Sequence, residues 1–313
     1  MNPGAAALPP GVGFLGLGGY EADPARLARA AAYFEGRGQP VTIAPAAAAR
    51  QQRFAGDDAT RLAALRQLLH APDIGLVMAL RGGYGLSRLL PALDFAAIAA
   101  AIRAGRKHFV GHSDFTAFHL ALYATTGAPS LAGPMASYDF GGHGPDHALS
   151  AYTLEHFAAL LDGTGHAVSF ASDGPALAAR GTLWGGNLAM LCSLLGTPWM
   201  PRVPGGILFL EDIGEQPYRI ERMLLQLLHA GILDAQRAIL LGDFANQQPT
   251  PYDAGFDLAA VVASLRARTR VPLVTGLPFG HIPDKLTLPV GGQAELRVGD
   301  GQARLAMSWS PRG

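Results

Sequence analysis

The stretch HFVGHSDFTAFHLALYATTG, residues 108–127, contains a complete strand–turn–helix unit. Phe109 and Val110 are typical of the end of a buried strand, and Gly111 permits a sharp turn. The apolar side chains that follow recur at helical spacing: Phe115, Phe118, Leu122 and Tyr123. A short strand leading into a helix is the unit from which α/β folds are built.

The polar residues of this unit leave two roles open. Ser113 or Asp114 is a typical N-cap for the helix, because a side-chain oxygen at that position accepts a hydrogen bond from a free backbone N–H. Ser113 also stands where a serine nucleophile would be presented to a substrate. The stretch taken alone favours the cap, so the choice depends on what the rest of the chain supplies.

The alternation of strand and helix continues through the first half of the chain. Strands are predicted at VGFLGLG (12–18), PVTIAP (40–45), IGLVMAL (74–80) and KHFVG (107–111). Helices are predicted at PARLARAAAYFEGRG (24–38), DDATRLAALRQLLHAPD (57–73) and SRLLPALDFAAIAAAIRAG (87–105). This order predicts an N-terminal α/β domain over residues 1–150 with a mostly parallel sheet.

The pattern changes after residues 151–170, which we interpret as a linker helix. Strands then come closer together, at HAVSF (166–170), GILFLE (206–211), RAILLGDF (237–244), VPLVTGLPF (271–279) and AELRVG (294–299). Helices are predicted at NLAMLCSLLG (187–196), RIERMLLQLLHAG (219–231) and DLAAVVASLRART (257–269). We therefore expect a C-terminal mixed α/β domain, rich in β-strand, over residues 171–313.

The composition excludes several classes of partner. Acidic and basic residues balance at 24 each, without the basic excess that nucleic acids or anionic membranes attract. The apolar runs are too short to span a membrane, and the first basic residue is Arg26, so no signal peptide is predicted. The single cysteine, Cys192, is predicted to be a buried core residue. We expect a cytoplasmic protein.

Neither a nucleotide nor a metal is predicted as a cofactor. GFLGLGGYEAD (13–23) resembles a phosphate loop, but Glu21 stands where the dinucleotide motif has its third glycine. His143 and His147 have the spacing of two metal ligands on a helix, yet the glycines and the proline around them argue against a helix there. A turn at a strand end and a polar loop are the simpler interpretations.

Three further segments supply what a serine nucleophile needs. His281 follows a predicted strand and is a better candidate base than His112, whose side chain points away from that of its neighbour Ser113. Glu211 ends the strand GILFLE and is a candidate for orienting the imidazole. The loop RGGYG (81–85) offers free backbone N–H groups for an oxyanion. All lie after strands, where α/β sheets bind ligands.

The chain resembles the LD-carboxypeptidases, the muramoyltetrapeptide carboxypeptidases that act in murein recycling. The resemblance is carried by LRGGYGLSRLLPALD, GHSDFTAFHLAL, RGTLWGGNLAMLCSLLGTPWMP, GILFLEDIGEQPYRIERMLLQLLHAGIL and LVTGLPFGHIPDKLTLPVG. It implies Ser113 as nucleophile, His281 as general base and acid, Glu211 as the orienting group, and the backbone N–H groups of Gly83 and Asp114 as the oxyanion hole. It also implies a murein tetrapeptide substrate, no metal or organic cofactor, and a homodimer.

Other residues are candidates for substrate contacts. Tyr84, Trp184 and Asn187 are expected to line the cleft, with packing at the domain interface as the alternative for Trp184. Arg81 and Arg219 are suited to bind substrate carboxylates, although structural ion pairs are the simpler interpretation of both.

Two other functions remain open. The first is an immunity-type peptidase of the same family that cleaves peptidyl-nucleotide toxins. The second is a non-catalytic protein that binds muropeptides.

Overall fold

The computed structural model describes residues 10–142, 149–161, 165–248 and 250–310. Within these residues the strands form two separate sheets, one of six strands and one of seven. The first sheet is mostly parallel and the second is mixed, which confirms the predicted fold class.

The first sheet is built mainly from the first half of the chain. Its parallel strands are β1 (Gly11–Leu15), β2 (Val41–Ile43), β3 (Ile74–Ala79), β4 (His108–Gly111) and β5 (Ser130–Ala132). They lie in the order β5-β4-β3-β1-β2. The helices of this part are α1 (Pro24–Glu35), α2 (Asp58–His70), α3 (Leu86–Leu89), α4 (Phe95–Arg103) and α5 (Thr116–Thr126).

The local sequence explains where these helices begin. The side chains of Asp23, Asp57 and Asp94 cap α1, α2 and α4 by accepting a backbone N–H of the first turn. The predicted helix over 87–105 is in fact two helices. Pro91 lies in a 3-10 turn, and the extended Leu93 and the cap Asp94 then start a new helix.

The second sheet contains β6 (His166–Ala171), β7 (Leu177–Asn187), β8 (Ile207–Ile213), β9 (Ala238–Ala245), β10 (Leu273–Val274), β12 (Gly292–Gly299) and β13 (Gln302–Ser308). Its order is β10-β9-β8-β7-β12-β13-β6. The remaining helices are α6 (Ala151–Leu161), α7 (Leu188–Ser193), α8 (Pro217–His229) and α9 (Leu258–Arg266). The strand β7 was not predicted, although it is eleven residues long.

One strand of the C-terminal part belongs to the first sheet. β11 (Leu288–Val290) pairs antiparallel with β5, placing Leu288 opposite Ala132 and Val290 opposite Ser130. The chain therefore leaves the second sheet at β10, crosses to the first sheet, and returns at β12. The crossing segment contains His281, so this residue lies between the two sheets rather than on one of them.

A buried ion pair fixes the crossing segment to the first half of the chain. Lys285 Nζ lies 2.6 Å from Asp139 Oδ1, with at most 2% of either side chain exposed. The backbone N–H of Lys285 donates to Thr153 Oγ1 at 2.9 Å, and Thr153 in turn donates to the carbonyl of Pro283 at 2.7 Å. Burial of two charges is tolerated here because they are paired and hydrogen-bonded.

We expect that breaking this pair strongly destabilises the fold. Lys285→Met leaves the Asp139 carboxylate buried without the ammonium group, and Asp139→Ala leaves the Lys285 ammonium buried without the carboxylate. Each should lower the free energy of unfolding by about 3–5 kcal/mol. The exposed pair of Arg297 with Glu295 is the control, since Arg297→Met should cost less than about 1 kcal/mol. Urea unfolding measures both. A Lys285→Met cost as small as that of the control would contradict a structural role for the buried pair.

Candidate active site

Ser113 adopts a backbone conformation that is rare for a residue with a side chain. It follows β4 in a 3-10 turn (Ser113–Phe115) with a φ of 63°, in the left-handed region. Its hydroxyl makes no hydrogen bond to any described residue, and the turn at the start of α5 has no side-chain cap. The cap role for Ser113 is therefore wrong. A sharp strand-to-helix turn of this kind is how α/β hydrolases expose a nucleophilic serine.

Glycines after β1 (Gly18 and Gly19) and after β3 (Gly82) lie against this turn. A Cβ atom at position 82 would come within 2.6 Å of Ser113 Oγ, so only glycine fits there. The N–H of Gly19 donates to the carbonyl of Gly82 at 2.9 Å, and a Cβ at Gly18 would lie 2.7 Å from the same oxygen. Gly18 and Gly19 thus allow the backbone after β1 to pack closely against Gly82 beside Ser113. The sequence suggested only a turn at the end of a strand.

The two predicted oxyanion donors belong to the glycine loop and to the residue that follows Ser113. The N–H of Gly83, whose φ is 101°, has no acceptor among the described residues. The first hydrogen bond of the 3-10 turn runs from Phe115 to His112, which leaves the N–H of Asp114 outside that turn's own bonding. Free backbone donors next to a serine are the arrangement that stabilises a tetrahedral oxyanion. The assignment of these two groups stays a prediction.

The structure brings His281 and Glu211 into direct contact. His281 Nδ1 lies 2.7 Å from Glu211 Oε2, and the side chains are 8% and 0% exposed. The other ring nitrogen, Nε2, has no partner in the described part of the chain. The His281 ring centroid is 5.0 Å from that of His112, the residue before Ser113. The imidazole is therefore held at one nitrogen by a buried carboxylate, beside the turn that carries the serine.

His112 is engaged elsewhere, in agreement with the expectation that it is not the base. Its Nδ1 bonds to the carbonyl of Gly133 at 2.9 Å, and the ring is 1% exposed. Burial, together with the positive charge of Lys285, holds the pKa of His112 well below its usual range. The ring is therefore neutral at physiological pH, and Nδ1 is the nitrogen that carries the proton.

Asn187 and Trp184 do not line the cleft as predicted. Asn187 is buried, and its Nδ2 donates to Glu211 Oε1 at 3.2 Å and to Asp212 Oδ1 at 2.9 Å. It therefore orients Glu211 instead of contacting a substrate. Trp184 is completely buried, and its indole N–H donates to Gln236 Oε1 at 2.9 Å. Trp184 therefore fits the alternative role, that of a packed tryptophan.

The other candidates for substrate contacts are Tyr84, Arg219 and Arg81. Tyr84 is 42% exposed, with its ring 6.0 Å from that of Phe54, and a substrate contact there stays a prediction. Arg219 forms an ion pair with Glu215. Arg81 has no acidic partner among the described residues.

The sequence also contains one cysteine and a histidine pair with the spacing of metal ligands. Cys192 is buried, and desolvation raises its pKa to about 12, so no thiolate forms there near neutral pH. His143 and His147 lie outside the described residues. Among the described residues, no cluster of three or more His, Cys, Asp or Glu side chains is placed to hold a metal ion. No helix in the same part of the chain is long and apolar enough to cross a membrane.

The carboxylate of Asp114 ties the serine turn to the glycine loop. Asp114 Oδ2 accepts the backbone N–H of Leu86 at 3.0 Å, while Oδ1 is buried without a partner in the described structure. Burial raises the pKa of Asp114 to about 6, against the lowering effect of its backbone hydrogen bonds. This contact was not predicted from the sequence, which suggested Asp114 only as a cap or as a backbone donor.

The raised pKa predicts a specific dependence of stability on pH. A carboxyl group whose pKa is higher in the folded state stabilises the fold below its unfolded pKa, and that stabilisation is lost as pH rises to about 6. Asp114→Asn removes this group, so between pH 4 and 8 the wild type should lose roughly 1–3 kcal/mol more stability than the variant. Urea unfolding at several pH values measures the difference. Parallel pH profiles for the two proteins would contradict the prediction.

Comparisons with known proteins agree with this architecture. Residues 12–133 match the LD-carboxypeptidase N-terminal domain, and residues 180–296 match the LD-carboxypeptidase C-terminal domain. The chain is 40% identical over 270 residues to a putative carboxypeptidase of Streptomyces coelicolor, covering 84% of this chain and 83% of the relative. It is 35% identical over 260 residues to the murein tetrapeptide carboxypeptidase of Pseudomonas aeruginosa, covering 79% and 80%.

The solved structures include a similar protein as well. The crystal structure of a muramoyltetrapeptide carboxypeptidase from Oxalobacter formigenes superposes with a TM-score of 0.88 at 46% identity, covering 96% of this chain and 99% of that one.

Proposed function

The chain belongs to the LD-carboxypeptidase family, and we propose that it is a serine peptidase that removes the terminal D-alanine from murein tetrapeptides. The observation that carries this proposal is the 2.7 Å contact between His281 and the buried Glu211, beside the turn that presents Ser113. The names of the relatives from Pseudomonas aeruginosa and Oxalobacter formigenes support the choice of substrate.

In the first half of the reaction, Ser113 Oγ attacks the carbonyl carbon between the L-centre of the diamino acid and D-alanine. The hydroxyl proton passes to His281 Nε2 as the new C–O bond forms. The oxyanion accepts hydrogen bonds from the N–H groups of Gly83 and Asp114. The imidazolium then protonates the amine nitrogen, the C–N bond breaks, and D-alanine leaves with its amino group intact.

In the second half, water attacks the ester carbonyl of the acyl-enzyme. His281 accepts a proton from this water and returns it to Ser113 Oγ as the ester bond breaks, which releases the shortened peptide. Glu211 stabilises the imidazolium in both halves because its carboxylate bonds to Nδ1. Asn187 supports it by donating to the second carboxylate oxygen, so the carboxylate keeps one orientation.

The family resemblance supports two further parts of the proposal. The first is that the enzyme acts in the cytoplasm, on peptides recovered from the cell wall. The second is that it works as a homodimer, which light scattering on the purified protein tests directly.

The proposed roles predict the effects of single substitutions. Ser113→Ala and His281→Ala should each lower kcat for D-alanine release by at least about 1,000-fold, and Glu211→Gln by about 100-fold or more, since the three residues act as a unit. Release of D-alanine from free or muramoyl tetrapeptide measures the activity, with EDTA present to remove any metal. The exposed residues Ser193 and His70, changed to alanine, are the matched controls and should leave the activity unchanged.

Three other outcomes would contradict the proposal or favour a different function. D-Alanine release that survives Ser113→Ala would contradict the nucleophile assignment. Hydrolysis of an aminoacyl-sulfamoyl adenosine without release of D-alanine would support an immunity-type peptidase. Binding of the tetrapeptide without turnover, unchanged in Ser113→Ala, would support a non-catalytic muropeptide-binding protein.

A further inference from the structure

We propose that the guanidinium group of Arg81 binds the terminal carboxylate of the substrate and thereby restricts the enzyme to the last peptide bond. This inference rests on the proposed function and extends it to the leaving residue. A carboxypeptidase differs from an endopeptidase in that its leaving amino acid carries a free carboxylate. That group is three covalent bonds from the carbonyl carbon under attack, so its partner must lie close to the nucleophile.

Arg81 has the required position in the chain. It directly precedes Gly82, whose backbone packs so tightly on Ser113 that a Cβ atom there would lie 2.6 Å from the serine Oγ. Consecutive Cα atoms are only about 3.8 Å apart, so Arg81 begins one residue from the group that touches the nucleophile. The loop from 81 to 85 therefore offers a backbone donor for the oxyanion and, next to it, a cation.

The donors of Arg81 are only partly used by the protein. Its Nη1 donates to the carbonyl of Tyr20 at 3.1 Å, and the remaining N–H groups have no acceptor among the described residues. A guanidinium group carries five donors, so most of them are left for a ligand. Arg81 is half-buried, so part of its guanidinium group stays accessible to a ligand. The planar fork of guanidinium matches a carboxylate bidentately.

The charge of Arg81 acts on the same surroundings as that of Glu211. The pKa of Tyr138 is raised by burial and by the charges of Asp139 and Glu211, and it is lowered by Arg26 and Arg81. The Tyr138 ring lies 6.3 Å from that of His112, beside Ser113.

Three other cations around the site are engaged with acidic side chains. Arg219 pairs with Glu215, and Lys285 pairs with Asp139. Arg61 is fully buried and bonds to Asp58 and to the carbonyl of Leu17. These three cations already have acidic partners, so each would have to break an ion pair to bind a carboxylate.

Arg53 is the neighbour that most resembles Arg81. It is exposed, and its guanidinium lies over the Tyr84 ring at 5.6 Å from the centroid. It has no acidic partner among the described residues, but it is not part of the loop that contacts Ser113. Arg53 therefore provides the matched control for an arginine at the rim of the same cleft.

The test compares two substrates that differ only at the end of the peptide. One is a tetrapeptide ending in D-alanine and the other is the same peptide ending in D-alaninamide, which lacks the negative charge. We expect wild type to favour the free carboxylate by about 10–100-fold in kcat/KM, the range that a hydrogen-bonded charged group supplies. Arg81→Met should reduce this ratio to near one, while its kcat/KM for the amide stays within about threefold of wild type.

Two further variants complete the test. Arg81→Lys keeps the charge but loses the bidentate geometry, so it should retain part of the preference. Arg53→Met should keep the full wild-type ratio. Product inhibition gives an independent readout, because D-alanine should inhibit Arg81→Met at least tenfold more weakly than wild type. If Arg81→Met does not fold, Arg81→Lys and the inhibition by D-alanine against D-alaninamide still decide the question.

The outcomes separate this inference from the proposed function. If wild type releases neither D-alanine nor D-alaninamide, the proposed function is wrong. If wild type releases D-alanine but Arg81→Met keeps the preference for the carboxylate, only the role of Arg81 is wrong. Loss of the preference in Arg53→Met but not in Arg81→Met would likewise overturn it.

Discussion

The position of His281 depends on a segment that is fastened to both sheets. On one side, the imidazole contacts Glu211, which lies near the end of β8 in the second sheet. On the other side, the buried pair of Lys285 and Asp139 and the strand β11 join the same segment to the first sheet. The position of His281 is therefore set by contacts on each side of it.

The second constraint is steric and lies within the first sheet. The left-handed φ of Ser113 costs of order 1–3 kcal/mol, so the surrounding structure must hold it. The glycines at 18, 19 and 82 allow backbones to approach the turn, and the carboxylate of Asp114 binds the N–H of Leu86 behind the glycine loop. Together these contacts hold the serine turn against the glycine loop that follows Arg81.

Several strands, helices and site residues could be predicted because they depend on patterns within short segments of the sequence. Alternating apolar runs and helical spacing identified β1 to β4 and α1, and polar residues after strand ends pointed to Ser113, Glu211 and His281. The strand β7 was not predicted because five of its eleven residues are alanine or glycine and only Thr182 is β-branched. The pairing of β11 with the first sheet was also not predicted, because two strands so far apart in the chain leave no local sequence pattern when they pair. Trp184 and Asn187 were assigned to the cleft because residue type does not reveal on which side of a strand a side chain lies.

The central claim is that His281, held by Glu211, activates Ser113. The most direct measurement is the rate constant for phosphonylation by a fluorophosphonate, followed by peptide mass mapping. We expect a single label on Ser113 in wild type and a rate at least about 1,000-fold lower in His281→Ala. Labelling of Ser113 at the same rate in both proteins, or labelling of another residue in its place, would contradict it.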